Sequence, residues 1–134
     1  MSKSGSLLAV VCLFLLAGCD SLVDCLDGDG PIFNKGTLNE GVLNEVYSDT
    51  VIASVDNEPR DDRFAYRFTL TGALPAGIQV RQTGRRLLFT GTATDSGDFP
   101  LTLFVTVDDG LSAFDSGLCY RSRTEDFVLR IREI

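Results

Sequence analysis

Four cysteines, two carboxylate doublets and one close trio of arginines are the groups in this 134-residue chain whose types and spacing invite chemistry. There is no histidine, so the commonest general base near neutral pH is missing, and no Ser/Lys or paired-Cys arrangement replaces it. The doublets Asp61-Asp62 and Asp108-Asp109 have the residue types for two-carboxylate glycoside chemistry. Adjacent acids among turn residues read instead as solvated hairpins, and the Asp109-Gly110 that follows is a favoured hairpin dipeptide. Zinc has neither histidine nor a second CxxC element to hold it. Calcium is no better served by the acids Asp20, Asp24, Asp27 and Asp29, which lack the fixed alternate spacing and closing Glu of an EF-hand loop. The expectation is a protein that is not an enzyme and that uses no cofactor and no metal.

The cysteines divide by their surroundings. Leu7 to Gly18 is an uncharged run of twelve residues behind a start that carries Lys3. It is too short for a transmembrane helix, which needs about 20 apolar residues, and has the parts of a secretory signal peptide. Leu16-Ala17-Gly18-Cys19 resembles the lipobox of bacterial lipoproteins. That resemblance implies a signal peptide over 1–18, diacylglycerol on Cys19, and a mature chain that begins there; Cys12 leaves with the signal. Two or more acyl chains make membrane attachment stable where one is marginal, at about 0.8 kcal/mol per buried methylene. Asp20 resembles the signal that retains enteric lipoproteins in the inner membrane. This favours a periplasm-facing inner-membrane position, with the outer membrane as the alternative.

Residues 19–35 follow, rich in Asp and Gly, a self-repelling composition that reads as an acidic tether. Removing 1–18 takes away one charged residue, leaving ten Arg and one Lys against nineteen acids. Nucleic acid, which needs clustered positive charge to neutralise phosphates, is not expected as a partner. The membrane is expected to be met through the lipid on Cys19 and not through the acidic domain.

Behind the tether, residues 36–134 show short alternating segments and no helical period. Phe64, Tyr66, Phe68 and Leu70 fall on one face of a strand; so do Leu101, Leu103, Val105 and Val107, and Phe127, Leu129 and Ile131. Weaker strands are read at 47–55, 77–81 and 86–90, with a further one at Thr37 to Asn39. About seven strands separated by turn signals predict an all-β, two-sheet sandwich. A closed barrel is the alternative.

Three phrases then carry a family resemblance: Gly72-Ala73-Leu74-Pro75-Ala76-Gly77-Ile78, Leu88-Phe89-Thr90-Gly91-Thr92, and Leu103 to Gly110 with its Asp108-Asp109-Gly110 ending. From Gly36 to Ile134 the chain resembles bacterial Ig-like domains related to cadherin-like repeats. It departs from them at Ala93, where Pro is usual, and over Leu111 to Arg123, which is longer and holds Cys119. The resemblance implies an Ig-like scaffold of adhesive or linking proteins with no characteristic active site. Cadherin-like relatives bind calcium between domains, but one domain lacks the neighbour that completes such a site.

If Cys19 carries lipid, Cys25 and Cys119 remain as an even pair in an oxidising compartment and are expected to form a disulfide. Free thiols or a zinc pair are the alternatives. Two surfaces are candidates for a partner: Arg81, Arg85 and Arg86 around Gly84 on an expected hairpin tip, since Arg favours bidentate anion contacts, and the long loop with Leu111, Phe114, Leu118 and Tyr120. Two functions compete. One is a membrane-anchored envelope lipoprotein whose Ig-like domain binds a protein or glycan, or serves structurally. The other is a small inhibitor or immunity lipoprotein that blocks a periplasmic hydrolase or toxin with that loop.

Overall fold

The computed structural model describes residues 30–110 and 118–134. Cys19, Cys25, Leu111 and Phe114, with the expected signal peptide and most of the tether, lie outside the described residues. Eight strands run through the remainder: β1 (Pro31–Phe33), β2 (Gly41–Val42), β3 (Val46–Val55), β4 (Ala65–Thr71), β5 (Ile78–Thr83), β6 (Arg86–Thr92), β7 (Gly97–Asp108) and β8 (Ser122–Arg132). One 3-10 turn, Asp61–Arg63, stands between β3 and β4.

Each long strand forms where apolar and polar residues alternate, because successive side chains point to opposite faces. Leu101, Leu103, Val105 and Val107 of β7 are buried, as are Phe127, Leu129 and Ile131 of β8 and Leu87 and Phe89 of β6. Such one-sided strands must pair face to face. They do so as two four-stranded sheets, ordered β1-β3-β6-β5 and β2-β8-β7-β4. All neighbours are antiparallel except β2 and β8, which run parallel through Gly41–Ile131 and Val42–Arg132. This is the Ig-like sandwich the alternation and the quoted phrases predict, with its first strand divided between the sheets. Two separate sheets also dispose of the closed barrel.

The division of the first strand corrects two expectations. Pro31–Phe33, placed by sequence in the tether, is an edge strand paired with β3. Thr37 to Asn39 is not a strand: the chain there crosses from one sheet to the other between β1 and β2. Asp49 organises that crossing. It points inward from β3 and is only 7% exposed, accepting bonds from Lys35 Nζ and from the backbone N–H groups of Asn39 and Thr50, each of these last two at 2.8 Å. Burial by itself raises the Asp49 pKa, but the Lys35 bond and the two N–H donors outweigh it and hold the carboxyl below its usual range. Tyr47 completes the clasp by donating to the Asn39 carbonyl at 2.9 Å.

Gly77 and Gly91 explain why two of the recurring phrases need glycine where they have it. A Cβ on Gly77 would stand 1.9 Å from the Thr92 carbonyl oxygen, and one on Gly91 would stand 2.0 Å from the Gly77 oxygen. Their φ values are +90° and +139°, a region other residues resist. The two glycines thus let β5 begin in backbone contact with the end of β6.

Strand directions gather the connections at two ends. Gly30, the 56–64 loop, the Gly84-Arg85 turn, the end of β7 and the start of β8 share one end. Val55, Phe64 and Val107 pack together beneath them. The 43–45, 72–77 and 93–96 turns and the exposed Ile134 share the other. The larger core, including Tyr47, Val51, Phe89, Leu103 and Leu129, fills the space between.

Candidate binding surfaces

At the hairpin between β5 and β6, positive φ occurs at Gly84 (+56°) and not at Arg85, which is the requirement of a two-residue type II′ turn. The turn does not leave three arginines free. Arg85 folds back, placing Nε 2.9 Å from Asp62 Oδ1, and its Nη1 reaches the Ala53 carbonyl at 3.5 Å. It ties the hairpin to the 56–64 loop. Arg81 and Arg86 remain exposed on the outer side of the sheet, so the expected trio is an open pair plus one structural residue.

The Asp61-Asp62 doublet is also not a hairpin. It opens the 3-10 turn, where Asp61 Oδ1 accepts the Val55 N–H at 2.8 Å and the Asp61 carbonyl accepts Tyr66 OH at 3.1 Å. The Tyr66 pKa is pushed up to about 12, by burial first and then by the Asp61 charge. That phenol therefore stays a hydrogen-bond donor at neutral pH. Asp108 and Asp109 face Arg121, each at 3.6 Å, and Asp108 Oδ1 accepts the Gly110 N–H at 2.8 Å. Both doublets hold loops. No group of three Cys, Asp or Glu residues among the described residues is arranged to hold a metal.

Of the long loop, Leu118, Cys119 and Tyr120 are described. Tyr120 is exposed yet lies against the chain entry: a Cβ on Gly30 would stand 2.9 Å from Tyr120 Cβ. The loop's base and the start of β1 are therefore neighbours, while Leu111 and Phe114 lie outside the described residues. Leu118 packs on the small cluster of Val55, Phe64 and Val107.

A further surface was not singled out from sequence. On the outer face of β4, β7 and β8, Phe104 stands 36% exposed. Register puts Thr69 and Thr124 directly opposite it, and puts Arg67, Thr106 and Ser122 in the next row. A cleft of about 460 Å³ opens here, lined among others by Arg67, Phe104, Thr106, Asp108, Arg121 and Ser122. The signal was present in the alternation: Phe104 is the one large apolar residue out of step in the run Leu101 to Val107.

No family model matches the chain, and no curated protein matches it. Solved structures do. A chimeric titin Z1Z2 is 13% identical with a TM-score of 0.49, over 78% of this chain and 95% of that one. An endo-fucoidan hydrolase from glycoside hydrolase family 107 is 18% identical with a TM-score of 0.51, over 81% of this chain and 14% of that one. The chain thus corresponds to a small part of the hydrolase's length. At these identities the likeness speaks for fold alone.

Proposed function

We propose that this chain is a lipid-anchored lipoprotein of the bacterial cell envelope, acylated on Cys19, whose Ig-like domain is a non-enzymatic binding or structural module for an envelope protein or glycan. The observation that carries the reading is the place of Gly30 in the fold. Gly30, eleven residues after Cys19, enters beside Tyr120, and its carbonyl accepts the Asp56 N–H at 3.0 Å. A lipid on Cys19 would hold this end, with its three loops, toward the bilayer and leave the far end and the outer faces of both sheets open to the periplasm. The disulfide between Cys25 and Cys119 belongs to the same reading. It is supported by the nearness of Tyr120, the neighbour of Cys119 in the chain, to Gly30. Arg81 and Arg86 offer an anion-binding pair on an acidic protein, and Asp20 favours the inner membrane over the outer.

The test is to express the precursor with its natural start and with Cys19→Ser. The mass of the natural protein should correspond to a chain starting at Cys19 with lipid attached, and the protein should fractionate with membranes; the variant should stay uncut and unlipidated. An unmodified mature chain starting elsewhere removes the lipoprotein reading. Capture from envelope extract on the mature protein then identifies the partner, and a hydrolase or toxin held one to one would turn the function to that of an inhibitor.

A further inference from the structure

Ten arginines lie in the described part of the chain. Six of them meet carboxylates: Arg63, Arg85, Arg121, Arg123, Arg130 and Arg132. Arg67 does not, although the protein carries a net charge of −7. It sits exposed on β4, opposite Thr106 and one row from Phe104. An aromatic ring in the middle of a polar sheet face loses hydrophobic stabilisation by its exposure, so this face combines two features that folding does not need. Around the ring are hydroxyls from Thr69, Thr106 and Thr124, with Thr102 turned away to Asp126 Oδ1 at 2.7 Å.

We infer that the cleft on the outer face of β4, β7 and β8 binds an anionic saccharide, with a sugar ring laid on Phe104 and its carboxylate or sulfate held by Arg67. The inference rests on the reading of the domain as a binding module and names the ligand class. Each group has a matching chemistry. The C–H face of a pyranose is weakly positive and fits the negative face of an aromatic ring. The ring's hydroxyls exchange hydrogen bonds with threonine and serine, and a guanidinium grips an acidic oxygen pair bidentately. The volume falls in the range of small-ligand clefts, about 300–1,000 Å³. A protein partner fits less well: the rows on either side of Phe104 are polar, whereas protein interfaces are built round an apolar centre.

The experiment is calorimetric titration of the full-length protein in neutral detergent with oligogalacturonate, with a sulfated galactan oligomer, and with a neutral galactan oligomer of the same length. At least one of the charged oligomers should bind tenfold or more above the neutral one, and its affinity should fall with salt. Arg67→Gln should erase that preference for charge. A tenfold loss corresponds to about 1.4 kcal/mol, within the range of one charge-assisted contact. Phe104→Ala should weaken charged and neutral oligomers alike, and Phe104→Tyr should restore both. Both side chains are at the surface, so the thermal midpoint should hold in all three variants. The double variant Arg81→Gln with Arg86→Gln probes the anion-binding pair on the other sheet, while Arg130→Gln, on the same outer face but away from the cleft, should bind as the parent does. No binding of any oligomer, or binding that survives both Arg67→Gln and Phe104→Ala, overturns the inference. Binding lost only in the Arg81/Arg86 double variant overturns this cleft and leaves the module reading intact, as does capture of a protein partner by a domain that takes up no saccharide.

Discussion

Asp49 shows how one side chain can decide the path of the seven residues between β1 and β2. It stands at an inward position of β3, where alternation asks for an apolar residue, and it is held by Lys35 from one side of the crossing and by the Asn39 N–H from the other. Asn keeps one acceptor oxygen but lacks the charge that Lys35 meets and turns an NH2 toward one of the other donors, so Asp49→Asn should lower stability by about 1–3 kcal/mol, read in urea unfolding. The pH dependence has a definite sign. Because the folded pKa is lowered, the contribution is complete above the unfolded carboxylate value of about 3.9 and is lost as pH falls through the folded value. The stability gap between parent and Asp49→Asn should therefore be full at pH 6 and shrink below about pH 4; a gap that grows with acidity would contradict the pairing. At Gly91 the constraint is steric. A methyl group there would meet the Gly77 carbonyl at 2.0 Å, so Gly91→Ala should cost about 3 kcal/mol or more, whereas Gly84→Ala, with open space around it, should cost only the strain of its positive φ.

Elements are where the sequence proved most and least informative. β3, β4, β7 and β8 are legible because each repeats apolar residues at period two over at least three inward positions, as Leu101, Leu103, Val105 and Val107 do, whereas β5 and β6 show two each, Ile78 with Val80 and Leu87 with Phe89. β1 and β2 are not, since three and two residues are too few to show a period; the crossing between them is set by Asp49, which is distant in sequence, and so Thr37 to Asn39 misleads. The same limit hid the role of Arg85, whose partner Asp62 comes from another loop. Gln82 is a further case. β4 is bonded to β7 on one side only, and its other edge would present free N–H and C=O groups to any passing strand. Gln82, on the edge strand of the other sheet, fills two of those places: its Nε2 donates to the Tyr66 carbonyl at 2.7 Å and its Oε1 accepts the Phe68 N–H at 3.3 Å. Gln82→Leu should therefore lower the thermal midpoint by several degrees, for a loss of about 1–2 kcal/mol. It should also raise self-association, seen by sedimentation as a concentration-dependent rise in mass. An unchanged midpoint and mass would mean that the edge is protected by its shape alone.

For the whole molecule, the proposed staple makes the sharpest demand. A bond between Cys25 and Cys119 would close a loop of more than ninety residues and contribute about 4–5 kcal/mol in the chain-entropy model. Cys25→Ser and Cys119→Ser should each lower the midpoint by several degrees, and the double variant should be no worse than either, since one bond is lost in all three. Peptide mapping without reductant should recover the two segments linked; two alkylatable thiols in oxidised protein would end the proposal. How the two ends of the domain are placed has a mechanical side. Gly30 lies at one end and Ile134, 98% exposed, at the other, so with the cysteines reduced a pull between these two residues runs along the strands. β2 and β8 are parallel and joined over two residue pairs, with one further bond from the Leu43 N–H to the Arg132 carbonyl at 2.8 Å. Under tension these few bonds are loaded in shear and share the force at once, backed by the Arg132–Glu40 ion pair at 2.8 Å. The stretches that yield first should be the three-pair contact of β1 with β3 and then this short clasp at the far end, leaving the β3–β6 and β7–β8 pairings whole and the domain extended by β1 and its crossing segment.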